Sequence, residues 1–360
     1  ARRVVPQLVA VVIAFLYVDF VGIQSLVAYD FHEMAVLPVF LGMLFYFLHA
    51  GRWLGVLITL FLCLLVREHV GLLLAPLGIF IYLFTRNIRK ALAVSVISLA
   101  WSISAIKFMM PAFGQETYIQ FVNPGDTFGE AVLNYVMRPD FAIVNFLLPA
   151  EKVSTLFWSF LSFGFFPLAY FAMLPVIFFQ FASRFLDLLH PIRWTPYYHY
   201  SAELAVFFSV STIYFSAELF KKFSHKFFLY FVIFFLLGSH AVANFTLRAP
   251  LNNLLKRQFY FEEPWVDQIK FIINRIPREA SVASQNNLLP HLSHRKEIYL
   301  LPENNNADYI VVDLHEGQNN WNFYSGNLET ARKEFSEFIL SGKYKILASY
   351  GSVYLLQKKG

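Results

Sequence analysis

Apolar residues fill the first two thirds of this chain in long runs and its last third in short patches. A membrane-spanning helix needs about 20 largely apolar residues, with about 17 as a lower limit. Nine runs at or near that length follow one another, at 5–24, 34–50, 53–67, 69–85, 91–111, 151–166, 167–185, 201–219 and 226–243. Each predicts a transmembrane helix. The stretch 151–185 reads either as one very long helix or as a tight pair broken near Gly164 and Pro167. Between the fifth and sixth runs, 112–150 contains the turn signal Asn123-Pro124-Gly125-Asp126. From Phe128 to Met137 its pattern suits an amphipathic helix lying on a membrane surface.

The pattern changes after residue 243. Residues 244–263 read as a linker and 264–360 as a small α/β domain. Helical periodicity runs from Pro264 to Ile276 and from Leu328 to Leu340, with a short helix from Asn286 to Leu292. Strand candidates are Ser281–Ala283, Ile298–Leu301, Tyr309–Leu314, and a hairpin of Tyr344–Ala348 and Val353–Gln357 around Tyr350-Gly351-Ser352. The expected sheet has three or four strands.

Composition agrees with a membrane protein. The chain is 57% hydrophobic and 15% charged, against about 25% charged in soluble domains, and 42 residues are phenylalanine. The net charge of +5 comes from short loops rather than from a compact basic patch, so no nucleic-acid partner is expected. The single cysteine, Cys63, cannot form an internal disulfide. With Arg2 and Arg3 in the cytoplasm, alternation places Arg52, Arg86, Arg89, Lys90, Lys221, Lys222 and Lys226 on that side as well. This requires 151–185 to be a hairpin. It puts the loops 25–33, 67–69, 112–150 and 186–200, and everything after 243, outside the cytoplasm. The apolar run that begins almost at Ala1 reads as a start inside a larger membrane domain.

The same parity gathers ionisable residues at one face. Asp30, His32 and Glu33 close the first outer loop, and Arg67, Glu68 and His69 form a corner between spans. Lys107 lies near the outer end of its run. His190, Arg193, Tyr197, Tyr198, His199 and Tyr200 precede the eighth run, and Glu203 lies just inside it. Ionisable residues at membrane depth are costly and usually functional. Carboxylates beside Arg, Lys and His suit a divalent cation, a phosphate or general acid–base work. Simpler roles compete: an Arg67–Glu68 ion pair at a helix break, and an aromatic belt of Tyr197, Tyr198 and Tyr200. Asp19 reads as a helix–helix hydrogen-bonding group, His240 as a packed interface residue, and His291, His294 and His315 as surface histidines. No glycine-rich phosphate loop, nucleophile elbow or zinc-protease helix is present.

Asp30-Phe31-His32-Glu33 before an apolar run with Pro38, the Arg67-Glu68-His69 corner, and Tyr198-His199-Tyr200-Ser201-Ala202 before a later run resemble segments of the DUF2079 family of predicted membrane proteins. Ile276-Pro277, Ser281-Val282-Ala283-Ser284, Leu292-Ser293-His294-Arg295 and Ala307-Asp308-Tyr309 resemble that family's C-terminal domain. The family is similar to the GT-C membrane glycosyltransferases. The resemblance implies a GT-C-like, multi-pass helical domain in the plasma (inner) membrane, followed by an extracytoplasmic α/β domain. It also implies sugar transfer from a polyprenyl-phosphate donor, amid membrane lipids, to a glycan or protein acceptor. Asp30, His32 and Glu68 would then be catalytic. Glu33, Arg67, His69, Lys107, Arg193, Tyr198, His199 and Tyr200 would bind substrate, with Mg²⁺ or Mn²⁺ as a candidate cofactor. The corner carries Arg67 for the family's Lys and His69 for its Asp, which removes a carboxylate from any metal role there. The outer loop that usually carries the catalytic acid would lie upstream of Ala1. A non-enzymatic transporter or envelope-assembly factor is the competing expectation. Transporter sites favour broken helices near the bilayer midplane, whereas these residues gather at one surface.

Overall fold

The computed structural model describes residues 4–29, 32–114, 128–223, 225–303, 306–323 and 326–359. The chain divides into two units, Ala1–Leu255 and Lys256–Gly360. The turn signal at 123–126 lies outside the described residues.

Every expected apolar run of the first unit contains helix. The helices are Gln7–Asp19 with Val21–Ala28, Leu37–His49, Trp53–Val66, Val70–Leu74 with Leu77–Thr85, Ile88–Ser104, Ala150–Leu161, Leu174–Phe185, Ala202–Lys222 and Lys226–Thr246. Among the described residues, three helical stretches are long and apolar enough to cross a membrane: Ile88–Ala112, Pro191–Lys222 and Lys226–Thr246. Gln7–Asp19 and Val21–Ala28, bent by 42°, make a fourth if taken as one broken span. Glu33–His49, Trp53–Val66, Val70–Thr85 and Phe171–Phe185 are apolar but shorter. The stretch 151–185 is broken where the sequence suggested. Gly164 and Phe165 both take left-handed φ values, +58° and +59°, which end the helix Ala150–Leu161, and Pro167 opens the next short helix, Phe166–Ala169.

The helices show two apolar faces rather than one. On Trp53–Val66, Leu54, Ile58, Phe61 and Leu65 are more than half exposed, while Val56, Leu60, Cys63 and Leu64 are almost wholly buried. Spacings of three and four residues put the first set on one side of the helix. An apolar face of that size turned away from the protein fits a hydrocarbon surround. Ala202–Lys222 is central: it packs against Gln7–Asp19, Val21–Ala28, Leu37–His49 and Phe166–Ala169, and its Phe207 and Phe208 are fully buried.

Polar contacts tie the helices together. Gly71 lets Val70–Leu74 approach Ile88–Ser104 so closely that a Cβ there would run into the Ser98 carbonyl and the Ser102 hydroxyl. Asp19, at the helix bend, accepts from Gln24 Nε2 (3.0 Å) and Asn244 Nδ2 (2.7 Å) and lies 3.1 Å from His240 Nε2. His240 Nδ1 faces the Ser162 carbonyl at 2.9 Å. Asp19 and His240, each expected to pack between helices, are therefore partners of one another.

The second unit is a five-stranded sheet in the order β2-β1-β3-β5-β4, formed by β1 (Val282–Ser284), β2 (Ile298–Leu300), β3 (Tyr309–Asp313), β4 (Tyr344–Tyr350) and β5 (Val353–Lys358). β1 pairs in parallel with β2 and β3, and β5 joins β3 and β4 antiparallel. Three or four strands were expected, and all five candidate segments pair, β1 and β2 over only three residues each. One core, with Ile269, Ile272 and Val353, involves the helix Pro264–Ile273; another, with Ile310, Leu356 and Ala331, involves Leu328–Leu340. His315 is not an ordinary surface histidine. Its Nδ1 lies 2.8 Å from both oxygens of the buried Asp313, and its ring stacks on Trp265 at 4.6 Å.

Candidate functional site

The ends of several helices in the first unit converge on one cavity of about 530 Å³. The helix Trp53–Val66 ends at Arg67, and His32 caps the turn that leads into Leu37–His49. Leu174–Phe185 brings Gln180 and Arg184, and the loop after it brings Asp187, His190 and Arg193. His199 and Tyr200 lie on the turn Tyr198–Ser201, and Glu203 in the first turn of Ala202–Lys222. Helix Phe128–Met137 adds Ala131, Val132 and Tyr135, and donates the Tyr135 hydroxyl to the Leu186 carbonyl at 2.9 Å. The apolar part of the wall is Met34, Leu72, Leu73 and Phe179. Val132 and Phe179 are each more than 40% exposed on the outer surface as well. The cavity thus has a cationic floor and an apolar flank.

The arginines are held in different ways. Arg67 Nη1 lies 3.2 Å from Glu33 and its Nε 3.6 Å from Glu68, which also meets His69 at 3.2 Å. Arg193 Nη1 donates to Asp187 Oδ2 at 2.6 Å, and His190 Nδ1 meets the same oxygen at 3.0 Å. Asp187 is 1% exposed, so its charge is compensated by this pairing rather than by water. Arg184 is different. Its Nη1 donates to the Tyr200 carbonyl (2.7 Å) and the Ser201 hydroxyl (2.8 Å), while its Nε and Nη2 are buried with no hydrogen-bond partner among the described residues. Buried donors on a cation are expensive to leave unmade, so Arg184 is held in place by the two bonds that its Nη1 makes.

A ring cluster packs beside the arginines. His32 stacks on His199 with centroids 3.9 Å apart, and Tyr29 and Tyr200 pack on His199 at 5.3 and 4.1 Å. Arg67 Nη1 lies 3.4 Å from His32 Nε2. The Met34 amide approaches His32 Nδ1 at 3.3 Å, and both that amide and the guanidinium can only donate, so one ring nitrogen accepts and His32 is the neutral form. Desolvation holds the His32 pKa below the ordinary value; Glu33 opposes this, and Arg67 and His69 add to it.

Six residues expected from the sequence line the cavity: His32, Arg67, His69, Arg193, His199 and Tyr200. Glu33 and Glu68 stand behind Arg67 and fix it. Tyr198, at φ +61°, packs its ring against Tyr29 and Tyr200 without lining the cavity. Lys107 is exposed on the π-helical turn Ala105–Met109 and is not part of the wall. Asp30 lies outside the described residues. Sequence reasoning missed Arg184, Asp187 and Tyr135, and missed Lys152, which is fully buried and donates to the Asn145 and Phe185 carbonyls at 2.6 and 2.7 Å. A signal for two of them was present: Arg184, Asp187, His190 and Arg193 recur every third residue as the seventh apolar run ends.

Among the described residues, no three of His, Cys, Asp or Glu converge as a metal site. Glu33, Glu68 and Asp187 are each engaged by an arginine and faced by a histidine.

A search of curated proteins finds no match to this chain. The family model described as "Predicted membrane protein (DUF2079)" matches residues 1–354, nearly the whole length. The chain therefore belongs to the DUF2079 family of predicted membrane proteins.

Proposed function

We propose that this protein is a GT-C-type glycosyltransferase that moves a sugar from a polyprenyl-phosphate donor to a hydroxyl acceptor. The supporting observation is the amphiphilic cavity that Arg67, Arg184 and Arg193 line together with Met34, Leu72, Leu73 and Phe179. A lipid phosphate needs both halves: charge-assisted hydrogen bonds for its head and an apolar path for its tail. On this reading all nine apolar segments cross the bilayer, the shorter ones matched by tilt or local thinning. The basic loops face the cytoplasm. The cavity and the C-terminal unit then belong to the extracytoplasmic side of the plasma membrane.

The reaction balances with residues on the wall. The acceptor oxygen bonds to the anomeric carbon as the bond from that carbon to the phosphate oxygen breaks. The lipid phosphate leaves with the bonding electrons, and the hydroxyl proton passes to the Glu203 carboxylate. Glu203 is buried on the cavity wall with no ion pair among the described residues. Arg184 and Arg193 stabilise the charge that develops on the leaving phosphate. Glu33 and Glu68 position Arg67, and His32 and His199 shape the acceptor side. The transporter reading has one feature to build on, the bend at Asp19. Asp19 is, however, fully engaged by Gln24, His240 and Asn244.

The test supplies labelled polyprenyl-phosphate sugars to membranes containing the protein and measures transfer or donor hydrolysis. Turnover that falls at least about tenfold in Glu203→Gln, with donor binding retained, is the expected result; loss of a base commonly costs 10²–10⁴-fold. Neither turnover nor donor binding across a panel of donors would overturn the proposal.

A further inference from the structure

The segment that joins the two units exposes apolar surface without being loose. It forms two short turns, Pro250–Leu255 and Arg257–Tyr260. Its start is pinned to the helical body: the Leu251 amide donates to Gln24 Oε1 and Asn252 Nδ2 to the Asn244 carbonyl, both at 2.8 Å. Yet Leu251, Leu254, Leu255, Phe259, Tyr260 and Phe261 are 42–74% exposed. An ordered chain that presents six large apolar side chains within eleven residues has a surface to meet.

Three features identify that surface as lipid. The segment continues directly from Lys226–Thr246, whose own outer face exposes Phe234, Val242 and Phe245. Lys256 and Arg257 sit in the middle of the apolar set, and cations among aromatics suit a layer of anionic headgroups. Arg257 lies over the Phe261 ring at 5.3 Å, which keeps its charge at the level of the aromatics. Tyrosine and phenylalanine with flanking cations are the side chains that settle where hydrocarbon meets headgroup. We propose that residues 250–261 are an interfacial membrane anchor, with the apolar side chains in the acyl boundary and Lys256 and Arg257 on anionic lipid headgroups. The chain therefore enters its second unit from the headgroup layer. This inference stands independently of the sugar-transfer reading.

Spin labels on single introduced cysteines test it in the full chain in nanodiscs. Cys63 is fully buried and stays unlabelled. Labels at 255, 259 and 261 are compared with a lipid control at 234 and a water control at 340, where Leu340 is 84% exposed on the second unit. The anchor predicts oxygen collision exceeding that of a water-soluble nickel chelate several-fold at all three positions, as at 234. Deeper insertion is expected in anionic than in zwitterionic discs, and Lys256→Gln with Arg257→Gln should remove that difference. Nickel access as high as at 340 overturns the proposal. So does protection from both reagents, which would mean that protein rather than lipid covers the segment. Equal depth in both lipids overturns the headgroup assignment.

Discussion

His32 sits where three influences meet: the His199 ring stacked on it, the Arg67 guanidinium at its Nε2, and Glu33 on the other side. Its pKa is depressed in the folded protein, chiefly by desolvation. The unfolded chain therefore binds a proton more readily than the folded one as pH falls through the ordinary value. The stability associated with His32 is complete above about pH 6.5 and is lost as pH falls below it, levelling off under the folded pKa. His32→Gln should flatten the decline in thermal midpoint between pH 7 and pH 5, and an unchanged decline would show that other groups cause it. Asp19 makes a second test at this scale. Asp19→Ala removes the carboxylate from His240 Nε2 and leaves Gln24 and Asn244 only the Asp19 main-chain carbonyl, and should cost about 1–3 kcal/mol, whereas Asp19→Asn keeps an acceptor and should cost less. Thermal unfolding in detergent reads both. The residues that the sequence did not reveal are those whose meaning depends on a distant partner. Lys152 is ordinary until Phe185, 33 positions on, supplies a carbonyl, and Arg184 is ordinary until the Tyr200 turn folds over it.

Helix placement was legible because a long apolar run has few alternatives, so all nine expected segments contain helix. The breaks within them were partly legible. Gly164 and Pro167 marked one, but the bend after Asp19 has no proline or glycine at its hinge residue, Phe20, and follows from the polar contacts that Asp19 collects. In the second unit, the hairpin β4–β5 followed from its turn residues and all five strand candidates pair, but two strands of three residues are too short for their pattern alone to fix the size of the sheet. One element contact is open to direct test. Gly71→Val drives a branched side chain into the Ser98 carbonyl and should cost about 1–3 kcal/mol by forcing Val70–Leu74 away from Ile88–Ser104. A thermal midpoint equal to that of the unaltered protein would show that this helix pair tolerates separation.

At the scale of the first unit, residues far apart in sequence share one chamber because helix ends alternate. His32, Arg67 and His199 come from three separate connections and Arg184 from the end of the helix Leu174–Phe185, and all four line the chamber. Loop parity could place them on one face, but only packing could show which of them meet. Lys107 shared the predicted face and does not reach the chamber. The chamber's division into a cationic floor and an apolar flank is the basis for assigning it a lipid phosphate. That claim is tested most directly by native mass spectrometry of the full chain titrated with polyprenyl phosphate, with the uncharged polyprenol as control. The account predicts saturable binding of the phosphate at least about tenfold tighter than the alcohol, one charge-assisted contact being worth ~1.5–3 kcal/mol, and loss of that preference in Arg184→Gln. Equal affinity for phosphate and alcohol, or a preference that survives in Arg184→Gln, would contradict it.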